Sequence, residues 1–483
     1  MRLSDLANEG NSTLDISGIT SDSREVGAGF LFAALPGVKA DGASFVNDAV
    51  KKGAVAVLAA KGTSVPASIT LITDDNPRKR FAQMAARLYE RQPEFIAAVT
   101  GTNGKTSSVN FCRQLWKNLG KSSASIGTLG VISDPLTRSG SLTTPDPVTL
   151  SRDMAELETA GITHLAIEAS SHGLDQFRLD GVRVKTAGFT NLTRDHQDYH
   201  KTMENYLAAK LRIFTQILAP GGAAVLNADM PDFEKISAVI KEAGHRVLSF
   251  GHKGRDLAIK SRRAIPGGQY LSLLVMGKKY DIEFPLAGEF QALNALCALG
   301  LVLAEKPDDA DFQDKAVRAL EKLSGVRGRL ELAATHPLTG AAIYVDYAHT
   351  PDGIKTVLES LRPHTEKKLH IVFGCGGDRD RGKRPEMGKI AMALADRVIV
   401  TDDNPRTENP AEIRREIMTG AKGALEIPDR GQAIRTAVTG LMSGDILVIA
   451  GKGHEQGQII GNEIKPFDDV TQARLAIQEL KVA

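Results

Sequence analysis

The chain has 483 residues, of which 42% are apolar and 24% charged, enough for about three globular domains at roughly 150 residues each. A net charge of only +2 leaves no polyanion footprint, so the expected partners are small molecules and not nucleic acid. Cys112, Cys297 and Cys375 lack CxxC spacing, which argues against a zinc site or a disulfide scaffold and fits a reducing compartment.

The opening MRLSDLANEG has no apolar signal core, and no stretch reaches the length of a membrane span. A cytoplasmic protein without membrane insertion is expected. The hexapeptide TDDNPR first appears at Thr73 to Arg78 and is followed by RKRFAQMAARLYE, with Phe81, Met84, Ala85 and Leu88 at helical spacing. Asn76 is a fitting N-cap there and Pro77 a fitting first helical residue.

Short apolar runs then alternate with helical patterns. FIAAVT (95 to 100) leads into GTNGKT and the helix SSVNFCRQLWKNLG, and HLAIE (164 to 168) leads into ASSHGL. TAGFT leads into NLTRDHQDYH, and AAVLN (223 to 227), AIYVDY (342 to 347), LHIVFG (369 to 374), DRVIVTD (396 to 402) and DILVIAG (445 to 451) come after it. Such alternation predicts an α/β protein with mainly parallel sheets, whose ligands bind at the carboxyl ends of strands. Breaks at RQPEF and SGVRGRLE divide it into three domains: a small N-terminal α/β domain (1–92), a central P-loop-type domain with a mostly parallel sheet flanked by helices (93–326), and a Rossmann-like C-terminal domain (327–483).

TDDNPR recurs at Thr401 to Arg406, but its flanks do not match those of the first copy, so duplication is disfavoured. Here TENPAEIRREI comes next, and Asn409-Pro410 supplies a later cap-and-proline pair. Arg406 is thereby left on a loop at a strand's carboxyl end.

AAVTGTNGKTSS carries the strongest chemical signal. Backbone N–H groups of a glycine-rich turn and the adjoining helix N-terminus cradle phosphate oxygens, Lys105 reaches the outer phosphates, and Thr106 can ligate magnesium. The motif departs from GxxxxGK[ST], since Val99 stands where the first glycine belongs. Magnesium needs oxygen ligands, and Glu168, Asp195, His196 and Asp198 fall at the ends of consecutive strands. Each alone would read as a loop hydrogen-bonding residue. On composition alone Lys210, in YLAAKLRIF, reads as a solvated helix residue.

GTNGKT, LTTPDP, EASSHGL, NLTRDHQDYH, YLAAKLRIF, LAGEFQALNALCAL, GVRGRLE, VDYAHTPD, GCGGDRDRGKR, TDDNPR and AGKGHE stand in the order found in Mur ligases, from about Ser21 to Glu455. The set most resembles the branch of that family that adds the third residue to UDP-N-acetylmuramoyl-L-alanyl-D-glutamate in peptidoglycan synthesis. The resemblance implies that a substrate carboxylate attacks the γ-phosphate of ATP, and that an amine then displaces phosphate from the acyl phosphate. It makes Lys105, Lys210, His196 and Glu168 the catalytic group. Thr106, Glu168, His196 and a carbamylated Lys210 would hold magnesium.

By the same resemblance ATP, as co-substrate, meets Gly101, Thr102, Asn103, Gly104, Lys105, Thr106, Ser107, Asn294, Arg329 and Asp346. Taken singly, Asn294 could be a helix-interior hydrogen bonder and Arg329 a solvated linker charge. The UDP-muramoyl dipeptide would meet Ser21, Ser23, Val38, Lys39, Ala40, Thr143, Thr144, Ser170, Gln176 and Arg178. Family members that add meso-2,6-diaminopimelate carry DNPR at the second copy, where a guanidinium can grip the distal carboxylate and Asp or Asn the nearby ammonium. Arg406, with Asp403, Asn404 and Pro405, and with Arg379, Gly451 and Glu455, would form that site. The implied enzyme is a cytoplasmic monomer. Its alternatives are a lysine-adding relative, a folylpolyglutamate-type ligase, or a non-enzymatic nucleotide switch or sugar-nucleotide binder; no NKxD motif supports a GTPase switch.

Overall fold

A computed structural model describes all residues except 9–11, 38–40, 141, 266 and 483. The proposed uridine segment Val38, Lys39 and Ala40 lies outside the described residues. Contacts divide the chain into two units, Met1–Ala258 with Asn294–Val317, and Ile259–Leu293 with Arg318–Ala483. The α/β class is borne out in both.

In the first unit, strands Gly18–Thr20, Phe30–Ala34, Ala54–Ala60 and Thr70–Asp74 pair in sequence order as a parallel sheet. The first hexapeptide behaves as its sequence dictates. Asn76 caps helix Pro77–Leu88 by accepting from the Lys79 N–H, and Phe81, Met84 and Ala85 enter the core against Leu6, Leu31 and Leu58.

The larger sheet of this unit runs Arg246–Gly251, Leu218–Asn227, Val184–Phe189, Phe95–Thr100, His164–Glu168 and Ser123–Gly127, all parallel, with short antiparallel strands Gly130–Ile132 and Thr137–Arg138 beyond them. Its inner strands are almost wholly buried, as expected when both faces are covered. Register sets Val99 beside Glu168 and Thr100 beside Phe189. Three neighbouring strands therefore end at one level, and their loops (101–104, 169–170 and 190–196) open on one edge.

In the second unit, Glu331–Thr335, Ala342–Asp346, Ile446–Ala450, Leu369–Phe373, Arg397–Val400 and Leu425–Glu426 form a sheet that is parallel apart from its first pair. Alternating residues feed two cores: Leu369, Ile371 and Phe373 pack on one face and Val372 on the other. Helices Pro351–Leu361, Lys383–Leu394 and Pro410–Gly420 cover the first face, while Arg430–Thr439 and Asp469–Val482 cover the second, which is the doubly wound arrangement. The second hexapeptide forms the loop after Arg397–Val400, and helix Pro410–Gly420 starts only at the Asn409 cap.

Candidate functional site

The glycine-rich loop is held in shape by its neighbours. Gly101 has φ 143°, and a Cβ there would sit 2.0 Å from Thr190 Oγ1; Gly104 has φ 85°, and a Cβ there would sit 2.3 Å from Asn294 Oδ1. Both positions require glycine. The Asn103 N–H donates to Asn191 Oδ1 at 2.8 Å and Asn191 Nδ2 donates back to Asn103 O at 3.1 Å, so one side chain grips both backbone polar groups of a loop residue. Thr102 donates through its hydroxyl to Thr193 O and receives the Tyr206 hydroxyl at 3.2 Å. Lys105 Nζ donates to the carbonyls of Gly101 and Thr102. Thr106 and Ser107 are buried in the first turn of helix Lys105–Asn118.

Glu168 is buried at the end of its strand. It accepts from the Thr106 hydroxyl at 3.1 Å and from the Thr128 N–H at 2.8 Å. Lys210 overturns the reading from composition. Its helix, Met203–Arg212, turns it inward until it is 1% exposed, where Nζ donates to Gly101 O at 2.8 Å and stands 4.3 Å from the centre of the Tyr206 ring. Burial, and then the neighbouring Lys105 cation, drive its ammonium well below the usual lysine range. His196 takes a left-handed backbone (φ 51°) and stacks edge-on against His172, 4.8 Å between ring centres.

Lys105, His196 and Lys210 share a cavity of about 250 Å³ with Leu142, Thr143, Thr144, Ser170, Ser171, His172, Arg178 and Tyr206. Thus three of the proposed catalytic residues and four of the proposed dipeptide-binding residues meet in one place. The Thr144 hydroxyl donates to Glu168 O and lies 3.0 Å from Ser170 Oγ, and Arg178 donates to Thr144 O and Gln176 Oε1. Gln176 in turn donates to Tyr199. Ser21 and Ser23 stand apart from this cavity, just beyond strand Gly18–Thr20.

The donors present suit magnesium. Among the described residues no group of three or more His, Cys, Asp or Glu side chains is gathered for a metal. A hydroxyl beside a single carboxylate, as in Thr106 and Glu168, is instead the sparse protein share that magnesium takes when phosphates and water supply the rest.

In the second unit, Asp346 is buried and accepts the N–H groups of Leu330 and Ala348, each at 2.7 Å, thereby fixing the turn that carries Arg329. The Arg329 guanidinium lies 4.6 Å over the Tyr347 ring. Around the second hexapeptide, Arg406 has φ 52°, and its side chain donates to Gly377 O at 2.8 Å. Asn404 donates to Glu455 at 2.8 Å. Gly451 lies so close to Asp403 that a Cβ would come within 2.5 Å of its carboxylate, and Arg379 is exposed beside Asp378. These residues gather at the carboxyl ends of Arg397–Val400, Leu369–Phe373 and Ile446–Ala450.

Sequence reading missed several buried charges. Lys452 donates to Asn404 and Glu455; Arg430 pairs with Asp469, both 0% exposed, and donates to the carbonyls of Asp402 and Ala450. Arg384 clamps Glu408 and Glu416, and holds the Glu408 carboxyl down to about 2. Tyr206 and His172 were also missed. The i, i+4 spacing of Tyr206 and Lys210 was the available signal for one of them.

Fold and cavity together define the class, and the chain belongs to the Mur ligase family. The Mur ligase family catalytic domain matches residues 15–102, the Mur ligase middle domain 99–302, and the Mur ligase glutamate ligase domain 328–453. More particularly, the chain is 51% identical over 485 residues, 99% of each chain, to UDP-N-acetylmuramoyl-L-alanyl-D-glutamate--2,6-diaminopimelate ligase of Caulobacter vibrioides. The protein of the same name from Agrobacterium fabrum is 50% identical, covering 97% of this chain and 94% of its own. A solved structure of a ligase of that name aligns over 100% of this chain and 99% of its own, with TM-score 0.73 and 33% identity. The MurF ligase of Thermotoga maritima, solved with ADP, covers 96% of this chain and 98% of its own at TM-score 0.64 and 19% identity, a likeness of fold.

Proposed function

We propose that this protein is an ATP-dependent, ADP-forming ligase that joins meso-2,6-diaminopimelate to UDP-N-acetylmuramoyl-L-alanyl-D-glutamate in peptidoglycan precursor synthesis. The observation that carries this reading is the cavity in which the phosphate-loop Lys105 and the buried Lys210 face Thr144, Ser170 and Arg178. The names of relatives about half identical over nearly the whole chain support it.

The substrate carboxylate attacks the γ-phosphorus of ATP and ADP leaves. The acceptor amine then attacks the acyl phosphate, and phosphate departs as the amide forms. Lys105 exchanges its loop carbonyls for phosphate oxygens, and the loop N–H groups receive charge as it builds on them. Thr106, Glu168 and His196 would hold magnesium, which would neutralise charge on the phosphates. Burial lowers the pKa of the Lys210 ammonium and so favours the free amine, the form that is a nucleophile toward carbon dioxide. Carbamylation of Lys210 would set beside Lys105 an anion in place of an amine whose protonated form that cation repels, and the anion would be able to ligate that metal. Arg178 orients the dipeptide's carboxylates. Asn294, against Gly104, and Arg329 with Asp346 serve the nucleotide, while Ser21, Ser23 and the segment from Val38 to Ala40 serve the uridine. Arg406, Asp403, Asn404, Pro405, Arg379, Gly451 and Glu455 take the acceptor. Among the described residues no helix is long and apolar enough to cross a membrane. The charged, nucleotide-linked substrate suits a reaction in the cytoplasm, and we take the enzyme to be a monomer.

The test is ADP release from magnesium-ATP, expected only when UDP-muramoyl dipeptide and meso-diaminopimelate are both present. Equal turnover with L-lysine would refute the acceptor assignment, and turnover without any acceptor would refute coupled ligation.

A further inference from the structure

Lys452 lies two residues beyond strand Ile446–Ala450, and its side chain is 0% exposed. A buried ammonium is costly unless it is paired and hydrogen-bonded, so its partners must be held where it needs them. Nζ donates to Asn404 Oδ1 at 2.9 Å and to Glu455 Oε2 at 3.2 Å. Asn404 Oδ1 also receives the Ile459 N–H at 2.9 Å. Neither an ammonium nor a backbone N–H can accept a hydrogen bond, so the two donors fix which end of the amide is oxygen. The other end, Nδ2, donates to Glu455 Oε2 at 2.8 Å.

This has a chemical consequence for a zwitterionic acceptor. Both lone pairs of Asn404 Oδ1 are engaged, so Asn404 does not take a ligand ammonium. Glu455 has one oxygen, Oε2, held by two donors, while its side chain stays 31% exposed. We propose that Lys452 is a positioning residue for the amino-acid acceptor, its buried ammonium setting Asn404 and Glu455 so that Glu455 presents its second oxygen to the acceptor's distal ammonium. The proposal rests on the diaminopimelate-adding function proposed for the chain.

The experiment compares wild type, Lys452→Met and Lys452→Gln as full-length enzymes, measuring KM separately for meso-diaminopimelate, ATP and UDP-muramoyl dipeptide. Lys452→Met is expected to raise the KM for meso-diaminopimelate about tenfold, the scale of one lost charge-assisted bond, and to leave the other two within about twofold. Lys452→Gln, which keeps an N–H donor group without the charge, is expected to recover part of that loss. Adding Glu455→Gln to Lys452→Met should cost less than Glu455→Gln does in the wild type, because the two residues act as a unit. An unchanged acceptor KM, a parallel rise in all three constants, or loss of the fold in both Lys452 variants would overturn the positioning role while leaving the ligase reading intact. A wild-type enzyme with no diaminopimelate-dependent ADP release would overturn both.

Discussion

Lys210 and Arg406 are two cations whose surroundings give them opposite uses. Lys210 is buried against Lys105 and Gly101 O, where a permanent positive charge is disfavoured. Lys210→Ala should lower kcat about a hundredfold or more, the scale of removing a preorganised charge. Short carboxylates added to the assay should restore part of the rate by standing in for the carbamate; full activity in the variant would show that no carbamate is used. Arg406 is half-buried on a loop, where its charge can meet a ligand. Arg406→Ala should raise the KM for diaminopimelate about tenfold to a hundredfold, for a lost interaction of about 1.5–3 kcal/mol. Arg78→Ala, in the first copy of the hexapeptide, should change it far less. The reverse ranking would mean that the wrong copy had been assigned to the acceptor.

At the scale of elements, the same six residues became a helix start in one place and a loop in the other because their C-terminal neighbours differ. After Pro77 an amphipathic pattern continues at once, and burial of Phe81 and Met84 stabilises the helix directly behind its cap. Asn76→Ala should therefore cost about 1 kcal/mol in urea unfolding, with the diaminopimelate KM unaffected. After Arg406 the chain meets a second cap at Asn409, and the intervening backbone pairs with the hairpin strand Gly457–Ile460 through Arg406 and Ile459. The glycine-rich loop at 101–104 is an element of the other kind, set by its neighbours. A methyl group at Gly101 would collide with Thr190 while forcing a backbone that is essentially glycine-only. Gly101→Ala should abolish measurable ATP binding in calorimetry with the far-ultraviolet circular dichroism unchanged, and retained affinity would show that the loop tolerates rearrangement.

For the whole molecule, a loss of stability in acid is expected from a buried histidine that stays neutral in the fold. His454 is held down to about 4, mainly by burial and then by the Arg329 and Arg327 cations. The unfolded chain takes up this proton near pH 6.5, so the stabilising contribution is complete above 6.5 and is lost as pH falls toward 4. His454→Gln should show a shallower decline of urea midpoint between pH 6.5 and 4 than the wild type; parallel curves would rule out this histidine as a source. By itself the sequence determined the α/β class, the cap at Asn76, the glycine-rich turn into helix Lys105–Asn118, and the strand ends bearing Glu168, His196 and Arg406. All of these come from local periodicity, turn chemistry or a motif. Tertiary structure decided the burial of Lys210, the joining of Lys105 with Arg178 in one cavity, and the Lys452, Arg430 and Arg384 pairings. Those depend on strand order and register, which bring together residues as far as 109 positions apart, as in Lys210 and Gly101. A charged residue's local sequence carries no record of whether the fold will surround it with water or with partners.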